Sequence, residues 1–270
     1  MRQDLYEDLY IKEQDYWWHV GKRAIVYNLL ERFLPPAPAP ASAGPDDSGR
    51  RALDLGCGAG LNLDHLARYA RPVGTDFSEE ALRFCLARGH RMLAKADAAE
   101  LPFPDCTFDI ITALDVIEHV DSDHDALVEL RRVLRPGGLL IINVPAYPLL
   151  WSYWDDILGH RRRYTVRTLA RAVARAGLRV RKVSYSNALI LPPVILVRVL
   201  KGLLTRANTA RGNGRDPETD FMPVPRWLNS ALIAYYRREA RWLRHRRLPF
   251  GLSVVCVAQR PRPLQDQAHR

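Results

Sequence analysis

The 270-residue chain has no CxxC pair: Cys57, Cys85, Cys106 and Cys256 stand far apart in apolar or turn contexts. They read as buried free thiols, so neither a disulfide nor a metal ligand is expected of them, and none elsewhere in the chain. No run approaches the roughly 20 apolar residues that a spanning helix needs. The opening stretch, MRQDLYEDLY, is acidic and has no apolar signal core. The expected location is cytoplasmic. The chain also lacks the GxGxxG of dinucleotide binders and the Lys-Ser/Thr of a P-loop.

What is present is unevenly charged. The net charge is +10, yet residues 1–150 hold 16 Lys/Arg against 23 Asp/Glu, and residues 151–270 hold 24 against 7. Such asymmetry points to an anionic partner for the second half, or to an Arg-rich solvated surface.

Residues 1–34 read as a helical cap: YWWHVGKR is followed by AIVYNLLERFL, apolar at helical spacing. PPAPAPASAGPDDSG makes 35–50 a linker. Alternating elements then begin. Strands are expected at 51–55, 72–75, 91–95, 108–113, 139–144, 178–184 and 252–258, with helices at 61–69, 79–88, 123–134 and 165–176. Ser78 and Thr165 are suitable N-caps, and Arg135-Pro136-Gly137-Gly138 stops the third of these helices. Strands separated by crossover helices imply a parallel sheet covered on both faces, here over 51–186. Residues 187–250 form an insertion, 251–260 the last strand and 261–270 a tail.

The first strand runs into LDLGCGAG, with Gly56, Gly58 and Gly60 at alternate positions. Glycines let backbone approach a ligand closely and take positive φ. Asp76 follows Gly56 by 20 residues, the spacing at which a second-strand acid meets ribose hydroxyls. Read with GTDFSEEAL, ADAAELPFPDCTFDII, LDVIEHV, LRPGGLLIINVP and RRRYTVRTLARAVARAGL, the chain resembles the class I S-adenosylmethionine-dependent methyltransferases. Within them it is similar to the bacterial quinone and small-molecule group, methyltransferase type 11.

The resemblance implies an α/β, Rossmann-like sheet of seven strands with the last antiparallel, carrying the helical cap and the insertion. It implies S-adenosyl-L-methionine as cofactor. Gly56, Gly58 and Gly60 would pass beneath its methionine and ribose parts, and Asp54 would orient the loop or contact the amino group. Asp76 would accept from both ribose hydroxyls, with Phe77 against the adenine. Asp97 would accept from the adenine amino group and Ala98 would donate its N–H to the ring. Leu114 and Asp115 would open onto the methionine end, and Arg23 or Lys22 would pair with the carboxylate. No basic residue lies between Asp54 and Asp64, which suits a sulfonium and not a phosphate.

Methyl transfer needs alignment and exclusion of water, plus a base when the acceptor is a hydroxyl. His119, His160 and His19 are the candidate bases. Tyr16, Trp17 and Trp18 would close the pocket or pack the cap. Arg161, with Arg162 and Arg163, and Tyr164 would grip an anionic substrate group or pair structurally. The expected reaction is methylation of a small, largely apolar acceptor, oxygen first, nitrogen or carbon next. The insertion reads as a lid, or as a segment lying on an anionic membrane surface, its ALILPPVILV followed by Arg198, Lys201 and Arg206. The second reading suits a polyprenyl, quinone or isoprenoid-diphosphate acceptor and a peripheral place at the inner membrane face. RNA methylation is disfavoured: LDVIEH stands where a (D/N)PPY motif would lie.

Overall fold

A computed structural model describes residues 10–35, 49–196 and 224–262. Its strands are β1 (Arg51–Leu55), β2 (Arg71–Asp76), β3 (Leu93–Lys95), β4 (Phe108–Leu114), β5 (Leu134–Pro145), β6 (Arg179–Ser186) and β7 (Ser253–Gln259). They form one sheet in the order β3-β2-β1-β4-β5-β7-β6. The five strands from β3 to β5 are parallel, and β7 runs antiparallel to both β5 and β6. The helices are α1 (Trp17–Phe33), α2 (Leu61–Leu66), α3 (Glu79–Ala87), α4 (Asp123–Val133), α5 (Tyr153–Leu158), α6 (Val166–Arg175) and α7 (Arg226–His245).

Apolar residues fill both faces of the central strands, as burial under crossover helices demands. Ala52, Ile110, Leu139, Ile141, Val255 and Val257 share one core with Val26, Leu29 and Leu30 of α1 and Tyr236 and Leu243 of α7. Their neighbours Leu53, Ile111, Leu140, Ile142, Val254 and Cys256 point the other way, onto Leu127 and Leu130 of α4 and Leu169 and Val173 of α6. Burying each such Leu, Ile or Val contributes about 1.5–3 kcal/mol, offset by chain entropy.

The cap lies across the first face because α1 and α7 touch closely. A Cβ on Gly21 would lie 2.5 Å from Tyr236 Cγ, so only glycine permits this approach. Trp17 packs on the Tyr236 ring at 5.7 Å, and its backbone N–H donates to Asn229 Oδ1 at 2.9 Å. Within the insertion, α7 is thus a sheet-covering helix. Arg198, Lys201 and Arg206, residues 36–48 of the linker and 263–270 of the tail lie outside the described residues.

Strand β5 departs most from its expected bounds. β5 begins at Leu134 and carries Arg135, Pro136, Gly137 and Gly138 as strand. Gly137 sits at φ 85, its N–H donates to the Arg260 carbonyl, and Arg135 pairs with Asp109 at 3.0 Å. Tertiary pairing carries the strand back through the turn residues.

Candidate active site

The site forms where the parallel strands end. β1 passes into the glycine loop, with Gly56, Gly58 and Gly60 at φ 65, 53 and 93. A Cβ on Gly56 would run into Val116 Cγ2, so the loop backbone is pressed against the segment after β4. Asp76, at the end of β2, ties the loop to α3. Its Oδ2 accepts from Gly58 N–H at 3.0 Å and its Oδ1 from Ser78 N–H at 2.9 Å. A carboxylate has about four acceptor positions. Among the described residues these two amides do not exhaust Asp76, which is half-buried. Burial raises its carboxyl, and the backbone amides of Ser78, Gly58 and Phe77 oppose that. Phe77 beside it is 73% exposed, an apolar ring left in the open.

Asp54 plays a different part. It is buried, and its Oδ1 accepts from Thr112 Oγ1 and from Asn62 Nδ2, each at 2.7 Å. Asn62 Oδ1 in turn accepts from the Tyr27 hydroxyl at 2.6 Å. The network joins α1, α2, β1 and β4 around Asp54, at the end of β1 just before the loop. Burial pushes its carboxyl up to about 7. An acid raised in the folded state binds its proton there first. Its stabilising contribution is full below the unfolded value and fades as pH rises through about 7. Relative to Asp54→Asn, the native chain is expected to lose about 1 kcal/mol between pH 6 and pH 8. Urea unfolding of both at each pH measures this.

Asp97 is exposed after β3, its Oδ1 accepting from Ala99 N–H at 2.8 Å, and Ala98 is buried next to it. At the end of β4, beside half-buried Leu114, Asp115 has φ 58. Its Oδ1 accepts from Asn143 Nδ2 at 2.6 Å and its Oδ2 from Lys22 Nζ at 2.5 Å. Burial would raise Asp115, but Lys22 and Asn143 together hold it below the ordinary range. Arg23 turns away from Lys22 and donates to the Glu13 carbonyl at 2.5 Å. Arg88, after α3, meets Glu13 Oε1 at 2.6 Å and the Ala59 carbonyl at 2.7 Å. These two arginines hold the segment before α1 over the glycine loop.

The histidines separate into a pair and a single. His19 is buried in α1, and burial drives its imidazole down to about 3, which makes it a weak proton acceptor. His119 and His160 stand ring to ring, centroids 4.7 Å apart. His160 Nδ1 meets Asp155 Oδ1 at 2.8 Å, and His119 Nδ1 lies 3.4 Å from the Gly159 carbonyl. Burial, then His160, lowers His119. Arg163 grips Asp155 at both oxygens, 2.6 and 3.0 Å. Burial would raise Asp155, and His160 and Arg163 hold it low. Arg161 is exposed on Asp121 at 2.8 Å, and Arg162 donates to the Asp121 carbonyl. Tyr164 is in the core with its hydroxyl on Asp123 at 2.9 Å. Tyr16, Trp17 and Trp18 are half-buried and mutually packed, with Tyr16 and Trp18 each 5.5 Å from Trp17.

Asn62, Thr112, Tyr27, Glu13, Arg88, Asn143 and Glu118 were not expected here. Only Glu118 had a signal, as the neighbour of His119 in DVIEHV.

These residues fit S-adenosylmethionine. The tightly turned glycine backbone, a half-buried acid 20 residues on and an exposed ring beside it match a nucleoside. Residues 53–142 match the family model described as a methyltransferase domain. A Mycolicibacterium smegmatis protein named "Probable S-adenosylmethionine-dependent methyltransferase" is 32% identical over 174 residues, 63% of this chain and 62% of that one. A fatty-acid O-methyltransferase of the same organism is 34% identical over 147 residues, 52% of this chain and 47% of that one. The matches thus span about three fifths and about half the length of these curated relatives. Among solved structures, a chain from the complex of the Haloferax volcanii Trm112 methyltransferase activator with a methyltransferase superposes with a TM-score of 0.56. It is 20% identical, over 95% of this chain and 97% of that chain, which shows the shared fold. Residues 53–142 are thus a methyltransferase domain, set in the fold shared by the class I S-adenosylmethionine-dependent methyltransferases.

Proposed function

We propose that the chain transfers a methyl group from S-adenosylmethionine to a small, largely apolar acceptor, through oxygen first. The observation that carries this is Asp76, which fastens the glycine loop and keeps acceptor capacity beside exposed Phe77. Bound there, the sulfonium cofactor supplies an already activated methyl group. Gly56, Gly58, Gly60, Asp76, Asp97 and Ala98 would hold it, with Leu114, Asp115 and Lys22 at its methionine end. Arg23 acts one step removed, by holding the segment that covers the loop. The cap and α7 exclude water. His119 and His160, on the segments after β4 and α5, flank the acceptor side, where an oxygen nucleophile loses its proton. Similarity to a fatty-acid O-methyltransferase supports an apolar acceptor with an oxygen terminus.

A second reading rests on the outer face of α7. Trp227 is 72% and Trp242 56% exposed, among exposed Arg237, Arg238 and Arg241. Aromatic and basic residues on one helix suit an anionic lipid surface, and a lipid-like quinone or polyprenyl acceptor would be collected there. No helix among the described residues is long and apolar enough to cross a membrane.

Labelled methyl donor, offered with hydroxylated fatty and isoprenoid acceptors, tests the reaction. Label is expected in an apolar hydroxyl acceptor; label entering only RNA or protein would overturn the reading. Co-sedimentation with anionic vesicles at low salt tests the second, and no binding there removes it.

A further inference from the structure

Glu118 has no hydrogen-bond partner for either carboxylate oxygen among the described residues, although its side chain is wholly buried. An unpaired buried carboxylate is expensive to keep unless something compensates it. A ligand atom of Glu118 lies within 4.8 Å of one on His119 and one on His160, and those two likewise. Both rings are already oriented from behind. His160 Nδ1 faces Asp155, itself clamped by Arg163, and His119 Nδ1 faces the Gly159 carbonyl. A ring that donates from Nδ1 presents a lone pair at Nε2, the arrangement found behind metal-ligating histidines. Arg161 N–H, donating to the Glu118 carbonyl at 2.8 Å, joins the two segments that bring the three together.

A proton relay through the two histidines would leave Glu118 unexplained. We propose that Glu118, His119 and His160 form a binding site for a divalent first-row transition cation beside the methyl-donor pocket. Two imidazoles and one carboxylate suit manganese, iron, cobalt or zinc better than magnesium or calcium, and they leave coordination positions open. An open position takes the acceptor's hydroxyl oxygen. The hydroxyl proton passes to water, and the bound oxygen keeps the electron pair that makes it the nucleophile. The acceptor role rests on the proposed methyl transfer; the cation site does not. It departs from the expectation, drawn from cysteine spacing, that the chain binds no metal.

Chelator-treated full-length protein titrated with cobalt(II) tests the site, read by calorimetry and by visible absorption. One equivalent per chain is expected, with d–d bands of a nitrogen- and oxygen-ligated ion. Glu118→Gln and His119→Ala are each expected to weaken cobalt binding at least tenfold and to change those bands. S-adenosylhomocysteine binding, measured in parallel, is expected to persist in both variants and so shows that they are folded. Cobalt bound equally by wild type and both folded variants, or not at all, would overturn the site. Cobalt bound as expected by a chain that never binds S-adenosylhomocysteine would leave the metal site standing and sink the methyl-donor reading.

Discussion

Asp76→Ala is expected to weaken binding of the methyl donor at least 100-fold. Two losses add. The ribose hydroxyls lose a charged acceptor, and hydrogen bonds to charged groups contribute about 1.5–3 kcal/mol each. The loop also loses its tie, because Gly58 N–H and Ser78 N–H both end on this carboxylate. A factor of 100 is about 2.7 kcal/mol, within what these two effects supply. Asp76→Asn keeps one acceptor oxygen and the shape, so about tenfold is expected. Equilibrium dialysis with labelled donor separates the two variants. Unchanged affinity in Asp76→Ala would remove the ribose assignment.

Asp155→Ala is expected to destabilise the fold by about 3–5 kcal/mol, the usual consequence of stranding one member of a buried ion pair. Asp155 is wholly buried and accepts from Arg163, His160 and the Ser152 backbone, which closes the start of α5. Arg163 would stay buried with the Ala146 carbonyl as its remaining partner. Asp156→Ala is the control. Its carboxylate meets the exposed Trp151 Nε1 at 3.1 Å, and a change within about 1 kcal/mol is expected there. Urea unfolding of the two variants side by side gives the comparison. Equal midpoints would mean that Asp155 is not the hub of the segment bearing His160.

The sheet was legible in the sequence because its strands carry alternating or continuous apolar residues bounded by glycine, proline and acids. The glycine loop and Asp76 were legible for the same local reason: spacing along one βαβ unit is fixed by the fold. The extension of β5 through Pro136 and Gly138 was not, since pairing of Leu134 with Phe108 and the hydrogen bonds of Gly137 and Gly138 with Arg260 override the turn chemistry there. Asn62, Tyr27 and Thr112 were invisible because nothing local marks a side chain that reaches across three elements to Asp54. Arg88 and Glu13 lie 75 residues apart, so no window of sequence contains their contact. Glu118 stood in plain view next to His119. Its meaning came only with burial, because a carboxylate in a loop is ordinarily solvated.

Calorimetric titration of the folded chain with S-adenosylmethionine and with S-adenosylhomocysteine tests most directly whether the glycine loop is a methyl-donor platform. Saturable binding of both at one site per chain is the expected result, with no heat from ATP or NAD, since no basic residue lies between Asp54 and Asp64 to meet a phosphate. Silence with both sulfur compounds, or saturable binding of ATP at that loop, would contradict it.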